Sequence, residues 1–107
     1  MSLVVYQCPP DFPTKIPDIL SAVGLTAIRT HKRVVAVRPG NRDFAYVISD
    51  GVSELGLSGG EESEGAVYFF VALPWSWRPK VIRTRRALYD RVKNAFIVAG
   101  AEIWTES

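Results

Sequence analysis

The feature that most constrains the fold is an uninterrupted apolar run of eight residues, Ala66 to Leu73, which is followed at once by a strongly basic segment. Because a half-buried strand alternates polar and apolar side chains, a short run without alternation predicts a strand that is covered on both faces. Pro74 ends the run, since proline cannot continue a strand ladder. The sequence therefore predicts a central strand over residues 67–73.

A basic amphipathic helix is predicted directly after this strand. Seven of the thirteen Lys and Arg residues lie between Arg78 and Lys93. Ser76 is a candidate N-cap, and Pro79 then falls in the first turn, where its missing N–H has no cost. Gly100 is well placed as a left-handed terminator. The apolar positions of this helix are Val81, Leu88, Val92, Ala95, Phe96 and Ala99.

The first quarter of the chain predicts a strand and a shorter helix. Residues 3–8 are rich in Val and Tyr and stop at two prolines, which favours a strand. A helix over residues 14–23 is predicted to begin at a Thr14 cap, with Pro17 in its first turn and Gly24 as its terminator. Its buried face is predicted to consist of Ile16, Ile19, Leu20 and Val23.

Four further strands complete the prediction. They cover residues 26–30, 33–38, 44–49 and 101–105, and a turn-rich loop of hairpin length joins the second to the third. Residues 50–65 hold five glycines and five acids, which favours a flexible acidic loop with at most a brief strand or helical turn near residues 52–57.

This order, β-α-β-β-β-β-α-β, predicts an α+β fold in a single domain that spans residues 1–107. Two helices packed on one face of a mostly antiparallel sheet of five or six strands is the natural arrangement for it. With 48% hydrophobic and 22% charged residues, the chain has the composition of an ordinary globular domain. Its longest apolar run is far below the roughly 20 residues that a transmembrane helix needs, and no secretory leader is visible. We therefore expect a cytoplasmic protein that does not associate with membranes.

Two helices can cover only one face of such a sheet, and this has a consequence for oligomeric state. The strands over residues 44–48 and 67–71 are apolar on both sides, so the second face would expose aromatic side chains. Tyr46, Tyr68 and Phe70 are accordingly candidates for a homodimer face, or for the wall of a pocket for a small apolar or cationic ligand. Alternatively, the acidic loop or the terminal strand covers that face.

The strongest candidate for a binding surface is the segment that joins the central strand to the basic helix. Guanidinium groups pair with phosphates and aromatic rings stack on bases, so this mixture suits RNA or single-stranded nucleic acid. Arg and Trp also anchor protein interfaces, and a solvated helix face with core-capping tryptophans is the remaining alternative. The candidate residues are Trp75, Trp77, Arg78, Lys80, Arg83, Arg85 and Arg86.

Candidate catalytic residues are few. Residues 56–60 match the G-x-S-x-G pattern around Ser58, but the only histidine, His31, lies upstream of it and no helix is predicted to follow. Cys8 would need a nearby base, and His31 sits among cations that would lower its pKa. The acidic residues Glu61, Glu62 and Glu64 lack the ligand pattern of a calcium loop.

The sequence thus predicts no catalytic residue, metal site or cofactor. It favours a non-enzymatic binding or protein-interaction domain that acts as a homodimer. A nucleic-acid-binding protein that uses residues 75–93 is the alternative, and a small enzyme is the third possibility.

Overall fold

A six-stranded antiparallel sheet and two α-helices form the fold in the computed structural model, which describes residues 2–30, 44–61 and 67–107. The α+β prediction is confirmed. The strand predicted over residues 33–38 lies outside the described residues. The elements are β1 (Ser2–Cys8), α1 (Phe12–Ser21), β2 (Thr26–Arg29), β3 (Phe44–Ser49), β4 (Glu54–Glu61), β5 (Val67–Leu73), α2 (Pro79–Val98) and β6 (Glu102–Glu106).

The strand order in the sheet is β2-β3-β4-β5-β1-β6, and each neighbouring pair is antiparallel. β5 pairs with β4 on one side and with β1 on the other, so the apolar run takes the central position that its lack of alternation predicts. Among the described strands, β2 and β6 lie at the two edges.

Strand register divides the side chains between a helix face and a second face. Tyr6 lies opposite Phe69, and Phe69 lies opposite Gly59, so these three positions share the helix face. The Phe69 ring lies 5.8 Å from the ring of Phe12 on α1 and 5.1 Å from that of Phe96 on α2. Both helices therefore pack on the same face, as predicted, and the core lies between them and the sheet.

Helix α1 begins two residues earlier than the sequence predicts, at Phe12, with Asp11 rather than Thr14 at the N-cap position. The Thr14 hydroxyl instead donates a hydrogen bond to the Asp11 carbonyl. Pro17 consequently lies inside the helix and not in its first turn. Ile16 and Leu20 are buried as expected, whereas Val23 follows the helix end and is 42% exposed.

The buried tyrosine of β3 compensates for this internal proline. Pro17 has no N–H, so the carbonyl of Pro13, four residues earlier, loses its helical partner. The Tyr46 hydroxyl donates a hydrogen bond to that carbonyl at 3.2 Å. This contact also fixes α1 to the sheet, because Tyr46 is a residue of β3.

Both helices end in the same glycine-dependent motif. Gly24 and Gly100 adopt positive φ values of 78° and 105°. The residue that follows each glycine donates a backbone hydrogen bond to the last turn of the helix. These bonds run from Leu25 N to the Leu20 carbonyl and from Ala101 N to the Phe96 carbonyl. The glycine N–H groups bond to the carbonyls of Ser21 and Ile97. These paired bonds define Schellman motifs, so both predicted terminators are confirmed.

The predicted acidic loop over residues 50–65 is wrong for half of its length, because residues 54–61 form β4, a strand in the interior of the sheet. Residues 50–53 form a turn, in which the Asp50 carboxylate accepts hydrogen bonds from the N–H groups of Val52 and Ser53. Residues 62–65 of the predicted loop lie outside the described residues. These bonds hold the pKa of Asp50 below its usual range.

Packing explains why a glycine-rich segment becomes a strand here. A Cβ atom at Gly59 would lie 2.5 Å from Phe69 Cβ, 2.5 Å from the Tyr68 carbonyl oxygen and 2.7 Å from Phe44 Cζ. The missing side chain therefore lets two aromatic rings and the neighbouring strand approach. Close packing outweighs the low strand propensity of glycine.

Candidate functional site

Two tryptophans project from the connector between β5 and α2. Trp75 and Trp77 are each 73% exposed, so they do not cap the core. The Arg78 guanidinium lies 5.3 Å from the centre of the Trp77 ring, within the range of a cation–π contact. Large aromatic side chains contribute most to stability when they are buried, so two adjacent exposed tryptophans are unusual in a small domain.

The conformation of this connector is restricted by its own residues. Pro74 and Pro79 bracket it, and Arg78 has the extended conformation that a following proline requires. The Ser76 hydroxyl accepts a hydrogen bond from the Arg78 N–H at 3.2 Å. The sequence predicts Ser76 as the N-cap, and this prediction is wrong. Arg78 occupies the N-cap position, and Pro79 is the first residue of the helix. The prediction of proline in the first turn is confirmed.

The basic residues in the first half of α2 differ in their exposure to solvent. Lys80, Arg83 and Arg86 are exposed, whereas Arg85 is half-buried. No hydrogen bond or ion pair joins the side chains of the three exposed residues to any other residue within the described part of the chain. We define the Trp–Arg surface as Trp75, Trp77, Arg78, Lys80, Arg83 and Arg86.

Two later cations of α2 serve the fold. Arg91 donates a hydrogen bond to the Val23 carbonyl at 2.6 Å, which joins α2 to the end of α1. Lys93 donates to the Glu106 carboxylate and joins α2 to β6. Among the described residues, both of these later cations thus make contacts between α2 and other parts of the fold.

The three aromatic residues predicted to share a face do not do so. Tyr68 and Phe70 lie on the second face and are half-buried, whereas Tyr46 lies on the helix face and is buried in the core. The grouping is wrong because strand β3 is apolar on both sides, and its sequence does not indicate which side meets the helices. No single ligand or partner on one face can contact all three side chains.

Exposure of the second face is uneven. Ile28 is 67% exposed, and Trp104, whose ring lies 5.4 Å from that of Tyr68, is 65% exposed. Trp104 stands at an irregularity in the β1–β6 register, where Val5 pairs with Thr105 and Tyr6 with Ile103. Val5 and Ala72 on the same face are buried. The most exposed apolar side chains of this face therefore lie at opposite edges of the sheet, Ile28 on β2 and Trp104 on β6.

Ser58 and Cys8, the two candidate nucleophiles among the described residues, are both buried in the fold. Ser58 is a buried residue in the middle of β4, so no strand-to-helix turn presents its hydroxyl. Cys8 is buried, and burial together with the charge of Asp11 raises the pKa of its thiol to about 12. Such a thiol is protonated at neutral pH and is a poor nucleophile.

The residues that were considered as metal ligands, without a metal site being predicted, are only partly within the described structure. His31, Glu62 and Glu64 lie outside the described residues, and nothing is described of the Glu61 side chain. Within residues 2–30, 44–61 and 67–107, His, Cys, Asp and Glu side chains form no group of three that could hold a metal ion.

In the same part of the chain, neither helix combines the length and apolar character needed to cross a membrane.

A pair of buried tyrosines was not identified from the sequence. Tyr6 and Tyr89 are 0% and 2% exposed, and neither hydroxyl has a hydrogen-bond partner among the described residues. Burial is the main cause that raises the pKa of both phenols, that of Tyr89 to about 12. The helical spacing of Tyr89 with Val92 and Phe96 could have indicated its burial.

No family model, curated protein or solved structure matches the chain.

Proposed function

We propose that the chain is a protein-interaction domain that binds an acidic partner protein through the Trp–Arg surface. The observation that carries this proposal is the exposure of Trp75 and Trp77 on a connector restricted by two prolines, next to cations that have no acidic partner among the described residues. Trp and Arg are enriched among the residues that dominate interface energetics.

Restriction of the connector favours tight binding. A side chain that is ordered before association loses less conformational entropy when the complex forms. Pro74 and Pro79 limit the backbone, and the bond between Ser76 and Arg78 limits it further. The backbone that carries the two indole rings therefore loses little conformational entropy when a partner binds.

Charge defines the class of partner. Lys80, Arg83 and Arg86 gain favourable interactions from an acidic surface and oppose a basic one. Two copies of the Trp–Arg surface would place like charges across a two-fold axis. A second copy of the chain is therefore a poor partner for this surface.

Nucleic acid is the second candidate partner. Exposed indole rings beside a guanidinium group, as in Trp77 and Arg78, are suited to stacking on unpaired bases. The formal net charge of only +2 weighs against this function, because nucleic-acid-binding domains usually carry a strongly basic surface. We rank it below a protein partner.

The proposed domain acts as a homodimer through a different surface. Trp104, Tyr68 and Ile28 supply exposed or half-buried apolar area on the second face, away from the helices. Association of two such faces would bury that area. This leaves the Trp–Arg surface of each protomer available for the partner protein.

Affinity capture with matched variants tests the proposed partner class. The wild-type domain, Trp75→Ala/Trp77→Ala and Arg83→Glu/Arg86→Glu would be immobilised, with Trp104→Ala as a control that removes an exposed tryptophan elsewhere. We expect an acidic protein to be retained by the wild type and the control and lost by both double variants. Once purified, it should bind Trp75→Ala/Trp77→Ala about 30-fold or more weakly.

A parallel titration with single-stranded DNA and RNA separates the two candidates. Tight binding of an oligonucleotide that falls steeply with added salt, and that both double variants abolish, would replace the protein-partner proposal with the nucleic-acid one. Retention of the same proteins by all four immobilised domains would refute a role for the Trp–Arg surface. Circular dichroism and thermal unfolding would show that each variant is folded.

A further inference from the structure

Arg78 is anchored at both of its backbone polar groups. Its N–H donates a hydrogen bond to the Ser76 hydroxyl at 3.2 Å, and its carbonyl accepts one from the Ile82 N–H at 3.1 Å. The following residue, Pro79, also restricts Arg78 to the extended conformation that it adopts. The direction in which the Arg78 side chain leaves the backbone is therefore set by the connector on one side and by the first turn of α2 on the other.

This anchored side chain lies over an aromatic ring. The Arg78 guanidinium is 5.3 Å from the centre of the Trp77 ring and covers one of its two faces. Because Trp77 is nevertheless 73% exposed, the opposite face of its ring is open to solvent. Trp75 is equally exposed, but its ring contacts no cation and no other ring among the described residues. The two tryptophans thus differ in their support although not in their exposure.

The chemistry of the open face of Trp77 restricts what a partner can place on it. The face of an indole ring carries partial negative charge, so it repels a carboxylate and accepts an apolar side chain. Acidic groups of the partner are attracted instead to the exposed cations Lys80, Arg83 and Arg86. A ring that is held in one orientation before association also loses less entropy in the complex.

We propose that Arg78 is a positioning residue that holds the Trp77 ring, and that the open face of this ring receives an apolar side chain of the acidic partner; this role rests on the proposed function of the Trp–Arg surface. Recognition then has two parts. Trp77 packs on the apolar side chain, and Lys80, Arg83 and Arg86 meet the acidic groups that flank it. An acidic protein without an exposed apolar side chain is a poor partner.

Heteronuclear Overhauser effects at the indole N–H groups measure the positioning in the free protein, because they report fast ring motion. We expect a higher value for Trp77 than for Trp75. In Arg78→Lys, the value of Trp77 should fall to that of Trp75, since lysine keeps the charge but lacks the planar group that stacks. Trp104, whose ring contacts Tyr68, is an internal control that should not change. Equal values for Trp77 and Trp75 in the wild type, or no change in Arg78→Lys, would overturn the positioning role.

Titration with two synthetic peptides tests the contact face. One peptide has a central leucine between glutamates, and the other has serine in its place. We expect the leucine peptide to bind more tightly, with its methyl signals moved upfield by the Trp77 ring and restored in Trp77→Ala. Arg78→Lys should weaken this binding about threefold and keep its salt dependence, whereas Arg83→Gln should reduce the salt dependence. Equal binding of the two peptides to the wild type would overturn the apolar contact.

Failure of this role and failure of the proposed function give different results. If the immobilised domain retains no acidic protein, the proposed function fails, while the indole measurements in the free protein still decide whether Arg78 positions Trp77. If an acidic protein is retained and lost by Trp75→Ala/Trp77→Ala, but the Trp77 indole does not respond to Arg78→Lys, the partner class stands and the positioning role is refuted.

Discussion

Two residues, Tyr46 and Gly59, have structural roles that their residue types do not predict. Tyr46 sits in an apolar strand, yet its hydroxyl fills the hydrogen-bonding position that Pro17 leaves open on the Pro13 carbonyl. Gly59 belongs to a segment with the composition of a loop, yet it is the point at which two strands and two aromatic rings meet. In each case, the role of the residue depends on a partner far away in the chain.

Gly59→Ala tests the packing role of this glycine. We expect the substitution to lower the free energy of unfolding by about 2–3 kcal/mol, since a methyl group would overlap Phe69 Cβ and the Tyr68 carbonyl oxygen. Chemical denaturation would measure the change.

Adding Phe44→Leu to Gly59→Ala provides a control for this prediction. The second substitution removes the overlap with the Phe44 ring but not that with the backbone of β5, so most of the loss should remain. Stability equal to the wild type in Gly59→Ala would contradict the close approach.

At the scale of elements, both helices are bounded by local chemistry. Each ends in a Schellman motif, and the residue after the glycine (Leu25 or Ala101) is buried in the core next to the last turn. The N-cap residues are Asp11 and Arg78, not the predicted Thr14 and Ser76. Neither Asp11 nor Arg78 makes a side-chain cap bond. Prolines in the first turn and packing against the sheet define these ends instead.

Substitutions at Gly100 test the importance of the positive φ value. An L-residue in the left-handed region costs roughly 1–2 kcal/mol, and a smaller gain from the less flexible unfolded chain offsets part of it. We therefore expect Gly100→Ala to lower the free energy of unfolding by about 1 kcal/mol. Gly100→Asn should lose less, because asparagine tolerates this conformation better. Equal effects of the two substitutions in thermal unfolding would contradict a conformational cause.

At the scale of the whole molecule, the two helices on one face leave two different surfaces for association. The Trp–Arg surface combines exposed aromatic rings with cations that have no ion-pair partner in the described part of the chain, whereas the second face exposes Ile28 and Trp104 at its two edges. The two surfaces should therefore respond differently to salt, since ionic strength screens charges but does not weaken apolar contacts.

Sedimentation analysis tests the proposed homodimer. We expect a particle of twice the chain mass of 11.9 kDa that persists in high salt. Trp104→Glu should dissociate it, because a charge would replace the largest exposed ring of the second face. The control Trp75→Glu should leave it intact. A single-chain mass for the wild type over the whole concentration range would contradict the dimer.

Much of the fold was predictable because local signals encode it. Apolar periodicity, prolines and terminal glycines predicted both helices and five of the strands, with ends shifted by one or two residues. Strand β5 is predicted with its observed bounds, since a run of β-branched and aromatic residues between a glycine-rich segment and a proline has few alternatives. Of the seven residues that the sequence offered as a binding surface, all but Arg85 are exposed, and their role in binding stays a prediction.

Long-range pairing decided the remainder. A glycine-rich acidic segment became β4 because β3 and β5 flank it and Phe69 packs over Gly59. Tyr46 was assigned to the core because the register aligns it with Leu57, a choice that a strand with two apolar sides does not encode. Tyr6 on β1 and Tyr89 on α2 are both buried in the core between α2 and the sheet, which the sequence around each does not encode. The sequence determined where chain segments form helices and strands, since those signals lie within a few residues. Contacts between distant residues determined which side chains share a face, because only packing selects among registers of similar local energy.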